Sequence, residues 1–263
     1  MAAPLVSDAL WSLFSPLLPP HPPRPKGGRP PINARATLTG ILFVLKSGIP
    51  WEMLPQEMGC GSGMTCWRRL RDWQEAGIWQ AFHHTLLDRL GRAGLIDWSR
   101  CSLDAASLPA KAGGAATGPN PTDRGKLGSK RHLVVDRQGI PLAVLLTAAN
   151  VHDSTVLDEA LDAVPPVRQP RRRPKKLHTD KAYDYPRCRR ACRRRGIVPR
   201  IARRGIESSE RLGRHRWVVE RTLSWIARCR RLVVRYERRD DVHLAFLVLA
   251  CAVICFRFLQ RFC

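Results

Sequence analysis

Acidic side chains are scarce in this 263-residue chain: 22 Asp and Glu stand against 45 Lys and Arg, a formal net charge of +23. That excess does not set a fold, but it argues for a polyanionic partner, nucleic acid first and an anionic membrane surface second. Nine cysteines include no CxxC pair, and no Cys/His set has finger spacing, which argues against a zinc finger. An odd count without paired spacing fits reduced thiols in a cytosolic protein. The first twenty residues lack a basic start and a long apolar core, so no signal peptide is expected. The longest apolar run, residues 244–256, is thirteen residues, short of a membrane span and better suited to a buried helix near the C-terminus. There is no internal repeat. The Gly125–Lys130 run lacks the GxxxxGK[ST] spacing of a P-loop and reads as a basic connection.

What the chain does contain is 44% hydrophobic residues, enough for one large or two small packed domains. Residues 7–18, 34–47, 63–75 and 78–92 carry apolar side chains at helical spacing, with Ser7 or Asp8 as a first cap. A Pro/Gly/basic linker, residues 19–31, separates the first two. Its Gly28-Arg29-Pro30 is either a solvated spacer or an arm for a minor groove. The 63–75 helix presents Arg68, Arg69 and Arg71. Short helices with tight turns, one of them basic, resemble a helix-turn-helix module; a helical bundle with a basic surface is the other reading.

Near residue 100 the texture changes. Strands are expected at 101–108, 131–136, 141–147, 176–180 and 197–201, with a loop over 110–129. Helices are expected at 153–164, 184–195, around 215–231 and at 241–260. That is α/β order. Three acids fall at telling places: Asp104 inside a strand, Asp180 at a strand end, and Glu220 on a helix four residues after Arg216. Each alone is either an ion-pair partner or a metal ligand. An acid within a buried strand needs compensation. Two hard cations held by carboxylates would supply it, and would suit in-line transfer at phosphorus.

Five segments then carry a resemblance: SLDAASLPA, DRGKLGSKRHLVVDRQGIPLAVLLTAANVHDS, HTDKAYD, RWVVERTLSWIARCRRL and RYERR. In this order, with 76 residues from Asp104 to Asp180 and 40 from Asp180 to Glu220 (180 − 104 and 220 − 180), the chain resembles bacterial insertion-sequence transposases of the DDE type, more narrowly the insertion-sequence-five family. The resemblance extends to LPP…GRPP, GILFVLKSGIPWEMLP and SGMTCWRRLRDWQEAGIW in the first third. It implies a ribonuclease-H-like core, a mixed five-stranded sheet flanked by helices over residues 97–263, preceded by a small helical DNA-binding domain over residues 1–96. It implies Asp104, Asp180 and Glu220 as catalytic metal ligands for two Mg²⁺ ions, with Mn²⁺ as a substitute. Related families carry a Tyr, an Arg four before the Glu and a Lys seven after it. Arg216 matches the arginine, whereas Gly213 and Ala227 stand at the other two positions.

Further contacts to DNA are expected from Arg216, Arg221 and Arg228, from Lys126, Lys130 and Arg131, and from the basic run between Arg168 and Arg204. Trp217 and Trp225, beside Glu220, either pack in the core or stack on an extruded base. His152 and Asp153 read as a loop and helix start, and Tyr183 and Tyr185 as packing or phosphate contacts, packing first. The expected activity is a DNA transposase that binds terminal inverted repeats and target DNA as a dimer or larger multimer, in the bacterial cytoplasm on the nucleoid. The alternatives are a catalytically silent DNA-binding regulator derived from such an enzyme and a nuclease without strand transfer.

Overall fold

The computed structural model describes residues 4–20, 30–167, 173–206 and 209–262. Four helices come first: α1 (Asp8–Phe14), α2 (Ala34–Ser47), α3 (Gly63–Glu75) and α4 (Ile78–Arg92). Side chains of Ser7, Asn33 and Ser62 cap the first three by accepting backbone N–H bonds. Helix α2 stops at Gly48, whose φ of 76° is left-handed. Gly63 is set by packing, because a Cβ there would lie 1.7 Å from the Trp51 carbonyl oxygen. Only Ala76 and Gly77 join α3 to α4, whereas residues 48–62 separate α2 from α3. Residues 21–29 of the Pro-rich linker, including Gly28 and Arg29, and residues 168–172 of the basic run lie outside the described residues.

Six strands follow: β1 (Cys101–Pro109), β2 (Gly118–Pro119), β3 (Leu127–Asp136), β4 (Pro141–Ala148), β5 (Lys176–Thr179) and β6 (Val198–Ile201). They form one mixed sheet in the order β4-β3-β1-β5-β6, with the two-residue β2 beside the start of β3. β1, β3 and β4 pair antiparallel, while β5 and β6 run parallel to β1. The helices are α5 (Asp153–Asp162), α6 (Pro186–Arg194), α7 (Ser209–Ala227) and α8 (Asp240–Phe262). This is the ribonuclease-H-like α/β architecture, with a sixth short strand beyond the expected five.

One expectation is corrected here. The loop over 110–129 ends early, since β3 begins at Leu127. Lys130, read as part of a basic connection, therefore sits inside a ladder opposite Ser107, next to Arg131, which lies on a strand as expected, opposite Ala106. The alternation of a strand then sends them to opposite faces. Lys130 reaches the Val151 carbonyl before α5, and Arg131 reaches the Leu232 carbonyl after α7.

The N-terminal helices and the sheet share one continuous core. Phe14 packs among Trp73, Trp79 and Phe82 at ring separations of 5.1–5.5 Å. Trp51 stacks on Phe246 of α8, and α8 lies against both α4 and β4. By length and composition alone α8 would cross a membrane, and the thirteen-residue apolar run is its middle. However, 78% of its most apolar stretch is buried inside the protein, as in a core helix.

Candidate catalytic site

Parallel pairing sets the relation between the two aspartates. Cys101 pairs with Leu177 and Ser102 with His178, an offset of 76 residues (177 − 101 and 178 − 102). The same offset relates Asp104 to Asp180 (180 − 104 = 76). The register seen at Cys101 and Ser102, carried on to Asp104, leads to the position of Asp180 just past the end of β5. On the sheet face that carries Ser102 and Asp104, the Asp104 carboxyl also senses the charge of Asp180. Helix α7 covers that face: Ser102 Oγ donates to the His215 carbonyl at 3.3 Å, and the His178 and His215 rings lie 4.9 Å apart. Asp180 follows β5 directly and accepts the Ala182 N–H at 3.0 Å, which turns the chain away from the sheet.

Arg216 connects these acids to the third. Its Nη2 lies 3.1 Å from Asp104 Oδ2 and 3.6 Å from Glu220 Oε1, one helical turn on. The Asp104 side chain is 16% exposed and that of Glu220 is 56% exposed. Burial pushes the Asp104 carboxyl above its ordinary value; Arg216 and the Ala105 N–H pull it down, and nearby Asp180 adds to the rise. An acid so placed is short of positive charge even with a guanidinium beside it.

The donor set suits a hard divalent cation, since all three groups are carboxylates on or beside one sheet face. A second observation agrees. The Tyr183 hydroxyl is buried without a partner, and the charges of Asp153, Asp104 and Asp180 act on it. Among the described residues, however, no three His, Cys, Asp or Glu side chains are grouped closely enough to hold one ion. Arg216 stands between Asp104 and Glu220, where an ion held by both would be.

The expected DNA contacts divide. Arg228 is exposed just past the end of α7, about 12 Å along the helix axis from Glu220. Arg221 is half-buried: its guanidinium lies over the rings of Trp217 and Trp225, at 4.6 and 4.5 Å, and donates to the Gln138 carbonyl. Trp217 is 49% exposed and so is not core, while Trp225 packs partly on Phe258. Lys126 is exposed. Lys130 is mostly buried and bound to Asp153 at 2.8 Å, and Arg131 is buried. Neither is placed to meet a phosphate, because each side chain follows its β3 position into the packing on one face of the sheet. On α3, Arg68 is exposed, Arg69 lies over Trp73, and Arg71 pairs with Asp72 at 2.7 Å.

Sequence reasoning missed a cavity of about 310 Å³ beside α7, lined by Thr179, Arg189, Arg200, Arg203 and Arg216 among others. The dense arginines of the 168–204 run were its one visible signal.

Residues 6–83 match a family model described as "Putative transposase of IS4/5 family", and residues 91–255 match one described as "Transposase DDE domain". A Burkholderia cepacia protein named "Putative transposase for insertion sequence element IS402" is 52% identical over 149 residues, 55% of this chain and 71% of that protein. A second, the "Insertion element IS402 uncharacterized 16.2 kDa protein" of the same organism, is 54% identical over 123 residues, 46% of this chain and 84% of that protein.

Proposed function

The chain belongs to the DDE transposase family, in its IS4/5 branch, and from that premise we propose that it binds the terminal inverted repeats of its own mobile element, cuts them free and joins them to target DNA. The observation that carries this reading is Asp104 inside β1 and Asp180 just past the end of the parallel strand β5, with Glu220 one turn beyond the arginine that touches Asp104.

Asp104, Asp180 and Glu220 are the residues that would hold divalent ions, two Mg²⁺ or Mn²⁺ in their place, and such ions would supply Lewis acidity at the phosphoryl oxygens. The remaining work is positioning. Water and then a 3′-hydroxyl attack phosphorus in line, so no side chain is needed as a covalent nucleophile. Arg228, Arg221, Lys126 and the exposed arginines around α6 and β6 position the phosphate backbone without reading sequence. Residues 1–96, with Arg68 foremost, read the repeat, and residues 97–263 carry the chemistry. Two copies pair two DNA ends, and the work is done on the bacterial nucleoid in the cytoplasm.

The test is nicking of a duplex that carries the element's terminal repeat, in Mg²⁺ or EDTA, by wild type and Asp180→Ala. Metal-dependent nicks at the repeat boundary, absent in the variant, are expected. Repeat-specific binding with no nick from either protein, in Mn²⁺ as well, would instead make the chain a DNA-binding regulator.

A further inference from the structure

Eight large apolar side chains stand exposed among the described residues, and four of them lie on three segments that touch one another: Met53, Met64, Val233 and Tyr236. The Trp51 carbonyl lies against Gly63 at the start of α3, which brings the turn at Met53 to Met64. Gly48 abuts Arg230, and the Arg231 guanidinium lies over both the Trp51 and the Tyr236 rings, which brings residues 230–236 to the same turn. We propose that this face is where two copies of the chain pair, about a two-fold axis. The proposal rests on the transposase reading, in which two copies hold two DNA ends, and it names the surface they share.

The face has the make-up of an interface centre. Met53 is 66% exposed and the other three 45–48%. Methionine, aromatic and arginine side chains are enriched where proteins meet. A monomer rarely gathers exposed apolar groups in one place. The support is rigid: Trp51 stacks on Phe246 of α8, and Gly63 has no room for a side chain. A face held in this way loses little freedom on association.

Charge decides what covers it. Glu52 and Glu57, beside Met53, are exposed and their side chains pair with no cation among the described residues. Idle carboxylates repel phosphate, so DNA is the wrong occupant here, although the chain as a whole carries +23. They suit a basic protein surface. Arg230 and Arg238, on the segment that carries Val233 and Tyr236, are exposed and also lack an acidic partner among the described residues. The patch therefore has acids on one contributing segment and cations on another. A two-fold axis through its apolar centre sets the acids of each copy against the arginines of the other. Such a patch complements itself, as the isologous interface of a symmetric dimer must. Two chains this basic repel each other overall, and the paired charges offset that repulsion where the copies meet.

Analytical ultracentrifugation of the full chain without DNA tests this apart from cleavage. Wild type is expected to sediment as a dimer at micromolar concentration. Glu52→Arg/Glu57→Arg and Arg230→Glu/Arg238→Glu should each dimerise on the order of a hundredfold more weakly, because like charges then meet across the axis. An equimolar mixture of the two variants should dimerise again, since each supplies the charge the other lacks. All four side chains are exposed, so both variants should keep the wild-type melting temperature. Wild type that stays monomeric at every concentration, or charge variants that dimerise as wild type does, would overturn the interface. A mixture that stays monomeric would overturn the two-fold pairing on which it depends. Variants that dimerise normally but release the terminal repeat would give the face to DNA instead. A wild-type dimer that makes no metal-dependent nick at that repeat would overturn the transposase reading and leave the interface standing.

Discussion

Two clusters of buried polar groups beside the sheet are satisfied to different degrees. In the first, Arg235 is fully buried and makes four hydrogen bonds, to the carbonyls of Glu237, Ala116 and Arg238 and to Ser129 Oγ. Arg231 binds Glu237 at 2.7 Å and the Ile49 carbonyl at 3.0 Å, and His243 meets the other Glu237 oxygen at 3.1 Å. Burial pushes the Glu237 carboxyl up, but His243 and Arg231 outweigh it and hold it below its usual value. Only Arg131 Nε and His243 Nε2 are left over there. In the second cluster Arg216 has one good bond, a longer contact and an idle Nε, while the Thr179 and Tyr183 hydroxyls are unpartnered. The first cluster ties α2, the segment at Ala116, β3 and α8 together and has little left to offer a ligand. The second leaves buried polar groups unpartnered.

The sharpest way to break this contrast is to cut the first cluster. Glu237→Ala strands the buried Arg231 cation and leaves His243 Nδ1 without its partner, and Arg235→Ala leaves four acceptors without their donor. Each is expected to lower stability by ~3–5 kcal/mol and the melting temperature by roughly 10 °C. Thermal and urea unfolding measure it, and a loss under 1 kcal/mol would mean the cluster is not structural.

Acid comes next in size. Burial drives His83 and His132 down to about 4 from an unperturbed 6.5. A histidine depressed on folding contributes stability above pH 6.5 that is lost as pH falls towards 4, ~3 kcal/mol for each. Asp136 works the other way: burial pushes it up to about 6, against the pull of four backbone N–H groups, so its contribution falls as pH rises from about 4 to 6. Two histidines outweigh one aspartate, and stability should decline between pH 6.5 and 4. His132→Gln should flatten that decline in urea titrations at several pH values.

The helices were the most legible part of the sequence. Residues 34–47, 63–75 and 78–92 form helices with those bounds, because apolar periodicity and capping side chains are both local. The start of β3 was obscured by glycine and lysine, which lower strand propensity although pairing with β1 overrides it. Asp104, Asp180 and Glu220 could be singled out as candidates, yet nothing local shows that 76 residues is the offset of a parallel register. Arg131, Arg231 and Arg235 look like any other arginine in a basic chain, and only tertiary contact divides those that pack from those that face solvent. The cavity at Arg216 belongs to two strands and two helices at once, so no single segment announces it.

Within the second cluster a charge can be removed cheaply. Asp104→Asn abolishes nicking in this reading, but it also relieves a buried carboxylate, and Glu220 remains within reach of Arg216. Its stability should stay within ~1 kcal/mol of wild type. A loss as large as that from Glu237→Ala would erase the difference between the two clusters.

The smallest effects test whether the same distinction holds among surface arginines. On α3, Arg71 is engaged by Asp72 through both Nε and Nη2, at 3.0 and 2.7 Å, and lies over the Trp67 ring. Glu75 is near it and also receives Arg239 at 2.9 Å. Arg68 has no acidic partner among the described residues and is exposed. Exposed ion pairs are weak, so neither Arg68→Ala nor Arg71→Ala should change stability by more than ~0.5 kcal/mol. Their effects on DNA should differ. A free arginine that neutralises a phosphate releases a counterion, so Arg68→Ala should reduce the slope of log affinity against log salt by about one. Arg71 must first give up Asp72, which returns part of what the phosphate contact gains, so Arg71→Ala should change the slope by much less. Filter binding to the terminal repeat at several salt concentrations separates them. Equal slopes for the two variants would show that pairing with an adjacent acid does not withhold an arginine from DNA.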